Sequence, residues 1–372
     1  ASDVYKRQVN NVMVLCLIHS VLFGGVTLLF LDPILLFFGA TPETIDYARE
    51  FMRIILYGTP VSYVFIGLNN LMRATGYPKK AMVSALLSVA VNLVLAPTFI
   101  FVFDWGISGA AWATVCGQTA SFIWVLCHFM SKKSFIHFRR DNRWFNPSII
   151  RRIYSIGLSP FLMSVCACIV VVFINRALLD YGGGNSNLAV GAYGIINRTT
   201  MFFVMIVFGV TQGMQPILGF NYGAHKWDRV KRTLYIGIWI GVGITFVGFA
   251  VCESFPDAIS RLFTTDETLT TIAREGFRVY FIFYPVVGAQ IVIQNFFQSI
   301  GKPKISIFLS LTRQLLFLIP FLIVLPRYYG VKGVWASMCG SDLIAFIFAL
   351  VTVIVMVKRL NVRFKGLKPI EQ

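Results

Sequence analysis

Charge is scarce in this chain. Of its 372 residues only 13% are Asp, Glu, Lys or Arg, about half the share of an ordinary soluble domain. Acidic residues are scarcer still, 16 against 33 basic ones, and there are four histidines. His19, His128, His137 and His225 are scattered, with no His-Glu-x-x-His pair and no Gly-x-Ser-x-Gly turn. The common metal-hydrolase and serine-hydrolase constellations are therefore excluded, and the chain is not expected to be an enzyme. It has no Gly-x-x-x-x-Gly-Lys-Ser/Thr loop, which excludes the P-loop way of holding ATP. The seven cysteines are odd in number and form no Cys-x-x-Cys pair, so neither a closed disulfide framework nor a zinc ribbon is expected. Each lies in or beside an apolar run, where cysteine serves as a small packing residue. Ten-residue alternation of apolar and polar residues does not recur, which excludes a membrane β-barrel.

What is abundant is apolar surface. Hydrophobic residues make up 57% of the chain, 35 of them Phe, and the mean hydropathy is +0.73. A water-soluble globule cannot hide that much, so most of it must face lipid. Uncharged runs close to the ~20 residues that cross a bilayer follow one another. They are Val12–Leu31, Ile54–Met72, Ala81–Phe103, Trp105–Ser131, Ile153–Asn175, Thr199–Ala224, Thr233–Cys252 and Val279–Ile300. The sixth is expected to begin near Leu188 and to contain Arg198. Ile305–Pro326 carries Arg313, and Gly333–Val357 carries Asp342. The predicted fold class is an all-α polytopic membrane protein with ten helices.

The net charge of +17 would suggest nucleic acid in a soluble protein. Here the basic residues sit in alternate loops: Arg73/Lys79/Lys80, 132–152, 226–232, Lys302/Lys304 and the tail from Lys358. Such loops set orientation and mark the cytoplasmic face, so no nucleic-acid partner is expected. Arg327 and Lys332 are the exception, in a short loop assigned outside.

The chain repeats itself at a spacing of 225 residues. Ala48-Arg49-Glu50 becomes Ala273-Arg274-Glu275, Pro60 becomes Pro285, and Gly76-Tyr77-Pro78-Lys79 becomes Gly301-Lys302-Pro303-Lys304. At 224, Gly106-Ile107-Ser108-Gly109 becomes Gly330-Val331-Lys332-Gly333. Six helices separate the copies, an even number, which predicts two parallel lobes about an axis along the membrane normal. The helices at Ile153–Asn175 and Leu188–Ala224 would have partners before residue 1, so a complete protein is expected to have twelve helices, with roughly 70 residues absent from this truncated chain. Asp3-Val4-Tyr5-Lys6-Arg7-Gln8 resembles a translated sequencing adapter, and residues 1–8 are set apart from the fold. The expected organisation is then a partial lobe at 9–131, a basic cytoplasmic linker at 132–152, a six-helix lobe at 153–358 and a basic cytoplasmic tail at 359–372.

Local words resemble one family. Gln212-Gly213-Met214-Gln215-Pro216, followed by Gly219-Phe220-Asn221-Tyr222-Gly223-Ala224, is similar to the end of the eighth helix of multidrug and toxic compound extrusion transporters. Leu311-Thr312-Arg313-Gln314-Leu315 with Ile319-Pro320 resembles their eleventh helix, and Gly106-Ile107-Ser108-Gly109-Ala110-Ala111 their turn between the fifth and sixth. The resemblance implies a bacterial inner-membrane antiporter that works as a monomer and expels drug-like, cationic small organic compounds by alternating access. It implies H+ or Na+ as the coupling ion and no other cofactor. Two features depart from the family: an acid on its first helix lies outside this chain, and Ala96 stands where Asn-x-x-x-Asp-Pro would place Asp. A lipid-linked oligosaccharide flippase is the alternative, but it would need several deep cations to hold pyrophosphate.

Polar residues inside spans cost at least a few kcal/mol when charged and each asks for a reason. Counted at 1.5 Å per residue, Arg313 lies about 13 Å from the cytoplasmic end and Asp342 about 24 Å, so roughly 10 Å would separate them in straight helices. Arg313 reads as a hydrogen-bonding strut or as a functional partner of Asp342. Asp342 reads as a proton or cation site, with Na+ possible near it, or as a capped structural carboxylate. Gln212, Gln215 and Asn92 fall at mid-depth. Gln290, Gln294 and Gln298 recur every four residues, so their face is expected to turn from lipid. Either they bond neighbouring helices or they line a cavity. Pro60, Pro97, Pro160, Pro216, Pro285 and Pro320 lie within spans, where each frees a carbonyl and can bend its helix.

Overall fold

The computed structural model describes residues 2–37, 45–131 and 147–364. Every element among them is helical. Ten helices are long and apolar enough to cross a membrane: α1 Asn10–Leu29, α2 Ile45–Ala74, α3 Pro78–Val102, α4 Gly106–Met130, α5 Pro147–Tyr181, α6 Gly183–Gly223, α7 Trp227–Ser254, α8 Glu267–Ser299, α9 Pro303–Tyr329 and α10 Val331–Leu360. Each expected span falls on one of them, and α6 contains Arg198. Most of the basic linker, up to residue 146, and the tail from 365 lie outside the described residues. Helix begins earlier than the apolar run implied, at Pro147. Proline suits a first helical turn, where its missing N–H is not needed. The final helix likewise runs on to Phe364, into the stretch expected to be tail.

The repeat is written in the backbone. Gly76 and Gly301 both take positive φ, +92° and +73°, and each closes the helix before it. Tyr77 N–H donates to Met72 C=O, and Lys302 N–H donates to Phe297 C=O, at 3.1 and 2.9 Å. A residue with a Cβ would resist that conformation. Pro78 and Pro303 then start α3 and α9. Gly106 and Gly330, also at positive φ, open α4 and α10.

Two compact units form, Ala1–Ile153 and Tyr154–Gln372. The first packs Val64, Phe65, Leu68 and Met72 of α2 against Val125 and Phe129 of α4. In the second, α8 is the central helix: 67% of its apolar stretch is buried, against no more than 33% for any other. It meets α7 at backbone contact, because a Cβ on Gly288 would overlap the Gly241 carbonyl. Small residues allow such approach where no hydrophobic force draws helices together. Its own Phe277, Phe281, Tyr284, Phe296 and Phe297, and Trp335 of α10, are fully buried. Outward faces carry exposed Leu22, Leu93, Phe202 and Trp239, as lipid contact requires.

A short helix precedes the second helix of each copy, Leu31–Phe37 before α2 and Pro256–Arg261 before α8. Arg49 of α2 holds Asp32 with two bonds, at 2.8 and 3.2 Å. Arg274 of α8 holds Asp257 at 2.5 Å. Asp32 and Asp257 are themselves 225 residues apart, so the repeat preserves an ion-paired clamp. Its hydrogen bond from Arg49 holds the Asp32 carboxyl below the usual carboxylate range.

Candidate functional site

The second unit buries a charge pair. Asp342 of α10 is 3% exposed, and its Oδ1 accepts a bond from Arg313 Nε of α9 at 2.6 Å. The side chains differ in access, 5% exposed for Asp342 and 27% for Arg313. The guanidinium thus stands between the carboxylate and the surface of the unit. The separation of roughly 10 Å expected for straight helices is closed. The long Arg313 side chain spans the gap, from the start of a stretch of α9 that is π-helical over Thr312–Leu318. A π-helical stretch widens the turn and shifts side chains off the α register, and such stretches occur often at functional sites. Pro320 follows immediately and cannot donate to the ladder.

Tyr280 and Tyr284 are one turn apart on α8 and lie within electrostatic reach of both Asp342 and Arg313. Tyr284 Oη donates to the Thr200 carbonyl of α6 at 3.0 Å. Cys339 is buried three residues before Asp342 on α10. Sequence reasoning missed the tyrosines. The available signal was their spacing of four on the same helix as Gln290 and Gln294.

The glutamine face of α8 is buried, as expected: Gln290 is 0% exposed and Gln294 6%. Neither amide atom of Gln290 has a hydrogen-bond partner, nor does Gln294 Nε2. Gln212 and Gln215 are exposed on α6; three residues apart, they share one face. Asn92 belongs to the first unit, where its amide donates to Thr114 Oγ1 at 3.2 Å. The structure therefore brings Asp342 and Arg313 together and buries Gln290 and Gln294 in the same unit.

In the first unit the residue equivalent to Asp342 is Gln118, 224 positions earlier. It accepts a hydrogen bond from Ser62 Oγ of α2, so the same register holds a neutral pair. Among the described residues no group of three His, Cys, Asp or Glu could hold a metal ion.

The family model described as MatE matches residues 3–98 and 155–324. The chain belongs to the multidrug and toxic compound extrusion (MATE) family. The MATE chain is similar to the multidrug export protein MepA of Staphylococcus aureus, 27% identical over 341 residues that cover 91% of this chain and 73% of that protein. Its fold is that of solved MATE-type transporters. One is an outward-facing multidrug resistance MATE transporter, 22% identical with a TM-score of 0.89, over 96% of this chain and 80% of the other. Another is a MOP superfamily transporter from Pyrococcus furiosus, 23% identical with a TM-score of 0.88, over 97% and 83%. MATE proteins are membrane transporters rather than enzymes, they act on small molecules, and they need no cofactor.

Proposed function

We propose that this MATE chain is a secondary active antiporter that exports drug-like, cationic small organic compounds in exchange for H+ or Na+, by alternating access of its two lobes. The buried Arg313–Asp342 pair is the observation that supports a coupling site in the second unit. A carboxylate can bind a cation or exchange a proton, and membrane carboxylates otherwise carry a heavy desolvation cost. When Asp342 takes up the coupling ion, Arg313 loses its counter-charge and must find other acceptors. That exchange of partners on α9 and α10 is a two-state element of the kind alternating access needs. Gln212 and Gln215, exposed on α6, are offered as substrate contacts, and Asn92 as one in the first lobe.

The protein is placed in the bacterial cytoplasmic membrane as a monomer whose partners are substrate and lipid, with no nucleic acid. The flippase reading is disfavoured by charge: Arg313, the arginine deep in a span, is already neutralised by Asp342. The test is efflux of the fluorescent cation ethidium from proteoliposomes under an imposed H+ or Na+ gradient, one at a time. One gradient should drive efflux in the full-length protein, and Asp342→Asn should remove that dependence while membrane insertion stays normal. Gradient-driven efflux that is unchanged in Asp342→Asn would refute the coupling role.

A further inference from the structure

The cytoplasmic end of the first unit gathers cations that no carboxylate nearby in the chain offsets. Arg73 lies in the last turn of α2, Lys79 and Lys80 open α3, and no Asp or Glu occurs between residues 51 and 103 or between 105 and 140. Positive loops are ordinary on this side of a membrane, but these side chains are held in place. Arg73 is half-buried, and its Nη2 donates to the side-chain oxygens of Asn69 and Asn70 at 2.8 and 3.1 Å. Its Nε–H is buried without a partner. Asn69, itself buried, donates to the Ala81 carbonyl and to Ser84 Oγ of α3 at 2.9 and 2.6 Å. Ser121 of α4 completes the net by donating to the Ser84 carbonyl at 2.6 Å. The guanidinium is thereby fixed to the start of the helix that carries Lys80.

Lys80 is positioned as well. Its ammonium stands 5.1 Å from the centre of the Tyr77 ring, close enough for a cation–π contact, and donates to His128 Nδ1 of α4 at 3.4 Å. The Tyr77 and His128 rings pack edge-on, 4.7 Å between centroids, and His128 is buried. An imidazole nitrogen that accepts from an ammonium is unprotonated, so the charge of the cluster comes from Arg73 and Lys80. The second unit makes the same glycine turn, at Gly301, without these groups. At the repeat spacing of 225, Arg73 becomes Gln298, Tyr77 becomes Lys302 and Lys80 becomes Ile305; at 224, His128 becomes Thr352. The turn therefore folds without the cluster, and the cluster is left asking for an anion.

We propose that Arg73 and Lys80, positioned by Asn69, Tyr77 and His128, hold the phosphate of an anionic phospholipid of the cytoplasmic leaflet. The site lies at helix ends, the level of the headgroups, where basic pockets between spans take acidic lipids. Guanidinium and ammonium groups are the usual donors to phosphate oxygens. Just deeper on α3, Met82, Val83 and Leu86 are exposed, an apolar track for an acyl chain that begins where the phosphate is held. Free phosphate would leave that track unused. The headgroup must carry net negative charge. Phosphatidylethanolamine brings an ammonium along with its phosphate, and this stretch of chain has no carboxylate to receive it. Phosphatidylglycerol brings no cation. Once seated, the lipid bridges the turn between α2 and α3 to the end of α4 and offsets the charge the protein leaves open.

The test titrates the full-length protein in detergent with phosphatidylglycerol or with phosphatidylethanolamine of the same acyl chains, and counts bound lipid by native mass spectrometry. Phosphatidylglycerol should bind at least fivefold more tightly. Arg73→Gln/Lys80→Gln should abolish that preference, and Arg73→Lys should keep at least half of it. Lys80→Gln alone should reduce it at least twofold. Because Lys80 is exposed, that variant should melt as wild type does without lipid, which keeps the test readable if the double variant unfolds. Lys302→Gln/Lys304→Gln removes the same charge from the equivalent turn of the second unit and should keep the full preference. An equal loss in the two double variants would show diffuse attraction to a basic surface and overturn the site. An undiminished preference in Lys80→Gln and in Arg73→Gln/Lys80→Gln would overturn it too. Millimolar inorganic phosphate should leave the bound phosphatidylglycerol in place; its displacement would assign the cluster to free phosphate and overturn the lipid.

Discussion

The two units share a plan and differ in one place that matters. Both keep the glycine turn at Gly76 and Gly301, and both keep an ion-paired clamp on a short helix, Asp32–Arg49 in one and Asp257–Arg274 in the other. At the interior register they part. The first unit has Gln118 bonded to Ser62, and the second has Asp342 paired with Arg313. Features kept in both copies are those any lobe needs in order to fold. A charge pair found in one copy, in a setting where charge is expensive, marks a task that the other copy does not carry.

The sharpest way to break that comparison is to neutralise both registers. Asp342→Asn should lower gradient-driven efflux at least tenfold, whereas Gln118→Leu should change it less than twofold in the same proteoliposome assay. Equal losses would mean the two registers do the same work. Next in size is stability. Arg313→Ala leaves a buried carboxylate unpaired and should cost about 3–5 kcal/mol, while the double change Arg313→Gln/Asp342→Asn should recover most of it. Thermal unfolding in detergent reads both. The neutral pair is worth less: Ser62→Ala should cost about 0.6 kcal/mol, with ion dependence untouched.

The clamps should show the smallest effects. Arg49→Ala or Arg274→Ala should change unfolding slightly, and the change should vanish in high salt, since exposed pairs are screened. The pH dependence has a definite sign. The carboxyl of Asp32 is held below its usual range by Arg49, so its contribution is complete above the ordinary carboxylate pKa of about 4 and is lost only as the pH falls below it. Hydrogen exchange in residues 31–37 should therefore rise below about pH 4, and in Arg49→Ala it should already be raised at neutral pH.

Much of this was legible in the sequence. Eight uncharged runs and two with one charge each located the ten membrane-length helices among the described residues, because lipid leaves backbone groups no partner outside the helix. The four-residue recurrence of Gln290 and Gln294 located a face turned from lipid. The Arg313–Asp342 contact stayed open in the sequence, because depth counted along straight helices separates the two positions by about 10 Å and says nothing of how far an arginine side chain reaches. Tyr280 and Tyr284 were hidden among many aromatics, most of which face lipid or pack. Their role depends on which helix α10 lies against, which no local pattern encodes. The clamp was within reach, since Asp32 and Asp257 repeat at the same spacing as Arg49 and Arg274. Two acids in loops carry little signal until their partners are known.

The most direct measurement is proton movement itself. Proteoliposomes loaded with pyranine report the protons that cross when ethidium is driven the other way. With wild-type protein, ethidium transport should be accompanied by opposite proton flow. With Asp342→Asn that flow should disappear, while ethidium still binds. Proton counterflow of wild-type size in Asp342→Asn would contradict the assignment of coupling to the second unit.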